Sequence, residues 1–164
     1  MLNLNDDIAV VGLPVYLLVA IIVACIIFGV FAFSMYKMQK DAQVDIVRAE
    51  IEKITSEAEN MFEYANEGSL VTVHVNFPDS MGFLVFGDLP ENGVLEPTDH
   101  SLDEGTSNCY FFVMEDGTVE THSSNARFSG ASVDEIALLG PGSYDVRIEL
   151  ERVGDKSYVK IYQG

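Results

Sequence analysis

The chain has 164 residues, 48% of them hydrophobic, with 26 acidic against 9 basic side chains and a formal net charge of −17. That length suits one folded domain, and so acidic a surface repels phosphate backbones, which argues against nucleic acid as a partner. Two cysteines make no disulfide framework, because Cys25 lies inside an apolar run and Cys109 opens a strand far from it.

The first residues, MLNLNDD, carry Asp6 and Asp7 and no Lys or Arg, the reverse of a secretory signal's basic leader. From Ile8 to Tyr36 follow 29 residues without one Asp, Glu, Lys, Arg or His. An apolar helix needs about 20 residues to cross the hydrocarbon core, so this run is long enough to span a membrane. Pro14 sits near its start, where a missing N–H costs least, and Gly29 is tolerated within a membrane helix. The apolar residues after Cys25 continue where a processed lipoprotein would turn polar, which disfavours lipidation there.

Lys37 and Lys40 end the run, but no Pro or Gly appears between Val30 and Asn66 to end the helix. Val44, Val47, Ile51, Ile54, Ala58, Met61 and Ala65 recur at spacings of three and four, a heptad seam. The membrane helix is therefore expected to run on as a stalk over 37–67, with Gly68 as its stop signal. Two readings of the seam stay open. Its lower part, Ala58 to Ala65, packs on the chain's own β domain, or the seam coils against another helix.

From Leu70 the period changes to two. Val71, Val73, Val75 and Phe77 alternate with polar residues up to Pro78, predicting a half-buried strand. Further strands are expected at 82–88, at 109–114 and at 118–124, the last two joined by Glu115-Asp116-Gly117, a strong hairpin signal. Ser132 to Glu135 fits a capping box opening one helical turn. Leu139-Gly140-Pro141-Gly142-Ser143-Tyr144 then leads into an alternating strand. A Gly and Pro turn with a Tyr at the strand's head is how immunoglobulin-like sandwiches enter their penultimate strand, so Tyr144 is expected to anchor a corner through its hydroxyl. The predicted fold class is α+β: a long N-terminal helix, transmembrane plus stalk, followed over 68–164 by an immunoglobulin-like antiparallel β-sandwich of six to seven strands.

No enzymatic constellation is legible. His74, His100 and His122 are widely separated, and none has a second ligand at metal spacing. His74 and His122 alternate outward on strands and read as surface residues. Asp99, Asp103 and Glu104 share an acidic loop but lack the ordered oxygen spacing of a calcium site. No catalytic residue, cofactor or metal is expected.

The acidic leader, Ala9 before Val10-Val11-Gly12-Leu13-Pro14, the long apolar helix and the β-sandwich together resemble an archaeal type IV pilin-like protein. The motif support lies in Asp6 to Pro14, and Ile8 stands where the family usually carries a charged residue. The resemblance implies a leader of residues 1–9 cleaved between Ala9 and Val10, and a helix, 10–36, that bundles into a filament or stays as an anchor. It implies a cell-surface structural subunit or minor pilin; the alternative is a single-pass anchored surface or binding module. The implied partners are membrane lipid, further copies or other pilin-like envelope proteins, met through the helix. The β domain is expected outside the cell, although Lys37, Lys40, Arg48 and Lys53 after the helix would by the positive-inside rule favour the opposite orientation.

Overall fold

The computed structural model describes residues 5–91, 97 and 99–164, with side chains described from residue 15 onward. The chain divides into two compact units, 1–42 and 43–164. Helix α1, Asn5–Tyr64, contributes to both, and eight strands follow it: β1 Leu70–Phe77, β2 Met81–Phe86, β3 Cys109–Met114, β4 Val119–Ser123, β5 Phe128–Ser129, β6 Ala137–Leu139, β7 Gly142–Val153 and β8 Lys156–Gln163.

The second unit is α+β, with two four-stranded sheets ordered β1-β7-β8-β5 and β4-β3-β2-β6. Alternation explains its layers. Val75, Phe77, Val146, Ile148, Leu150, Val159 and Ile161 point inward from the first sheet, and Leu84, Phe86, Phe112 and Met114 from the second. They share one core with Val44, Val47, Ile51, Ile54, Ala58 and Met61 of α1. The seam is thus interior to its own chain over its whole length, not only from Ala58 onward, and presents no apolar stripe to a second helix. Residues 43–64 belong with the β unit and do not form a separate stalk.

A second, smaller cluster of Val85, Phe111, Val113 and Ile136 lies on the other face of the β3 and β2 strands, with Leu102 of the long loop packed against it. This accounts for strands 82–86 and 109–114 being apolar on both faces: each face has its own cover.

The expected strands are present with small shifts in their ends, and the β3–β4 hairpin turns on Gly117, whose φ of 83° is in the left-handed region. Gly68, at φ 80°, lies beyond the helix end at Tyr64, in the turn whose N–H donates to the Leu150 carbonyl. Two features differ from expectation. Ser132 to Glu135 makes a hydrogen-bonded β-turn instead of a helical turn, closed by the Glu135 N–H on the Ser132 carbonyl at 3.2 Å, and the chain then enters β6. β5, only two residues long, pairs in parallel with β8 through Phe128 opposite Val159, so the sandwich is not wholly antiparallel.

Candidate functional site

Three surfaces carry the chemistry of this chain. The first belongs to unit 1. Every large apolar side chain from Val15 to Met38 is exposed, from Met35 at 47% to Tyr16 at 79%. In its most apolar 18-residue window none of the helix is buried within the protein. In water such a surface costs about 25 cal/mol for each Å² of apolar area left wet. A helix satisfies its own backbone hydrogen bonds, so it can enter hydrocarbon without an unpaired polar group. Among the described residues this is one helix long and apolar enough to cross a membrane. Ala9 and Val10, the expected cleavage pair, fall within the span of α1, but their side chains lie outside the described residues, as do residues 1–4 altogether.

The second surface is a cleft of about 200 Å³ in unit 2 between α1 and the β3 and β4 strands, lined by Arg48, Ile51, Glu52, Thr55, Tyr110, Phe112 and His122. Arg48 closes one side. Its Nε and Nη2 donate to the two carboxylate oxygens of Glu120 at 2.8 and 2.5 Å, a bidentate pair, while Nη1 donates to Asp45 at 2.8 Å. The hydrogen bond from Arg48 holds the Glu120 carboxyl below its ordinary value, and the Arg48 guanidinium is raised in return. His122 stacks on Tyr110 with centroids 5.3 Å apart and ring planes 23° from parallel. Burial pushes the Tyr110 phenol upward, aided by Glu59 and Glu52 on α1. His122 thus has a ring partner and a place in a cleft, which outward alternation alone did not foretell.

The third surface is the solvent face of the first sheet. His74 of β1 lies directly opposite Asp145 of β7, and Asn76 opposite Ser143. Asp145 accepts from His74 Nδ1 at 2.7 Å, and Ser143 Oγ lies 3.2 Å from His74 Nε2. The carboxylate can only accept, so Nδ1 carries the proton of the neutral ring and Nε2 is left to accept from the Ser143 hydroxyl. Sequence reasoning missed this trio. His74 and Asp145 are 71 residues apart, and their meeting depends on a strand register that spacing does not reveal.

Tyr144, the expected corner residue, is half-buried and its hydroxyl donates to the Gly140 carbonyl at 2.6 Å. Burial pushes its pKa up to about 12. The seam residues are brought together, but as core. In the acidic loop Asp99 and Asp103 accept from the backbone N–H groups of Ser101 and Gly105 at 2.9 and 3.1 Å, so they brace the loop's own turns. Among the described residues no group of three His, Cys, Asp or Glu side chains is placed to hold a metal.

Fold and surfaces together define a class: a β-sandwich unit fused to a helix that is exposed and apolar over residues 15–36. No family model, curated protein or solved structure matches the chain.

Proposed function

We propose that the chain is a pilin-like cell-surface protein, a filament subunit or minor pilin that presents its β-sandwich outside the cell. The observation that supports this is the exposed apolar run of Val15 to Tyr36, on the helix whose Val44, Val47, Ile51, Ile54, Ala58 and Met61 contribute to the core of the β unit. From Val15 to Tyr36 the segment carries no charge, and such a surface is stable only in lipid or against other apolar helices; both environments fit this reading.

The same observation supports the alternative, a single-pass anchored module that does not polymerise. With the seam internal, the subunit reading assigns helix packing to the apolar run of residues 15–36, and the anchor reading assigns that run to lipid. Mass spectrometry of the native N-terminus, paired with a search for the protein in sheared surface filaments, separates the two. A chain starting at Val10 and recovered in filaments supports the subunit. An intact Met1, or a processed chain found only in membranes, supports the anchor. A full-length protein that is soluble without detergent sinks both.

A further inference from the structure

The trio on the outer sheet face has the connectivity of an activated nucleophile. A serine hydroxyl within reach of an imidazole, itself oriented by a carboxylate on its other nitrogen, is the recurring arrangement for nucleophilic catalysis. Here the distances are 3.2 Å from Ser143 Oγ to Nε2 and 2.7 Å from Nδ1 to Asp145. Both contacts use the nitrogen that the chemistry requires. The strand register holds them: His74 and Asp145 are a cross-strand pair, and Ser143 lies two residues from Asp145 on the same face.

We propose that Ser143 is a nucleophile activated by His74 and positioned by Asp145, and that it takes acyl groups from activated esters, aryl or thioester, and passes them to water. Ser143 Oγ bonds to the ester carbonyl carbon while its proton passes to His74 Nε2. The bond to the leaving oxygen or sulfur breaks, and the leaving group takes that proton. Water then attacks the acyl-serine, giving its proton to Nε2, and the proton returns to Oγ as the free acid departs. Nothing is oxidised or reduced. The side chains of His74 and Asp145 are 66% and 61% exposed, so water is not excluded and charge on the oxyanion is weakly stabilised. That restricts the substrate to esters whose leaving group departs readily.

The test uses the full chain in detergent, a fluorophosphonate probe and p-nitrophenyl acetate, with the labelled position read by peptide mass spectrometry. General base assistance contributes about 100-fold or more. Ser143 should therefore label about 100-fold faster than the exposed Ser132. His74→Ala should remove that advantage, and added imidazole should restore part of it. Asp145→Asn should slow labelling without moving the melting temperature, while Ser143→Ala abolishes ester turnover. Labelling of Ser143 no faster than of Ser132, or fast labelling that His74→Ala leaves unchanged, overturns the proposal.

Discussion

The Tyr144 hydroxyl reaches back four residues to the Gly140 carbonyl at 2.6 Å, tying the head of β7 to the Gly-Pro-Gly turn that precedes it. Its ring also packs against Phe77 of the paired strand, with centroids 6.3 Å apart. Removing the hydroxyl in Tyr144→Phe keeps the ring and leaves a carbonyl short of a donor. The expected cost is about 1 kcal/mol, read from chemical denaturation.

The same residue sets an alkaline limit. Burial raises its folded pKa from the ordinary 10.0 to about 12, so it resists ionisation in the fold more than in the unfolded chain. The stability this contributes is present in full below the unfolded value and is lost as pH rises toward the folded one. Thermal melts of wild type should therefore fall more steeply between pH 10 and 12 than those of Tyr144→Phe. Parallel falls would show that Tyr144 ionisation is not coupled to folding.

Ile54 is wholly buried on the inner face of α1, whereas Ile46 is 44% exposed. Ile54→Ala removes methylenes from a packed core and should cost about 2–5 kcal/mol. Ile46→Ala should change stability by less than about 0.5 kcal/mol. Similar small effects at both would place the seam outside the core.

Glu120 is held below its ordinary carboxyl value by Arg48. A depressed pKa contributes stability that is present above the unfolded value and is lost as pH falls through the folded one. Glu120→Gln should therefore lower the melting temperature at pH 7 and converge with wild type in acid. A constant difference down to the lowest pH would mean that the substitution acts through packing instead.

Residues 15–36 carry the membrane reading, so carbonate washing should leave the protein in the membrane pellet. Phe28→Arg places a charge near the middle of the apolar run and should cost about 2.5–3.5 kcal/mol of insertion free energy. That loss should appear as a larger fraction released by the wash. A chain beginning at Val44 should be soluble without detergent.

The features legible from residue order are those that depend on local spacing. An uncharged apolar run is a membrane-length helix at any position, a three-and-four repeat is a helix face, and alternation with Asp-Gly or Gly-Pro turns is a set of strands. Cys109–Met114, the hairpin at Gly117 and the Tyr144 corner follow from residues within a few positions of one another. What covers the seam was not legible, because a heptad stripe has the same spacing whether it meets another helix or its own sheets, and the packed chain buries it under the sheets. β5 was illegible because two residues carry no period, and it exists only where Phe128 meets Val159. The Arg48–Glu120 and His74–Asp145 contacts join positions 72 and 71 residues apart. A single-residue slip in register would turn each strand's side chains to the opposite face, and that register is set by the packed core as a whole.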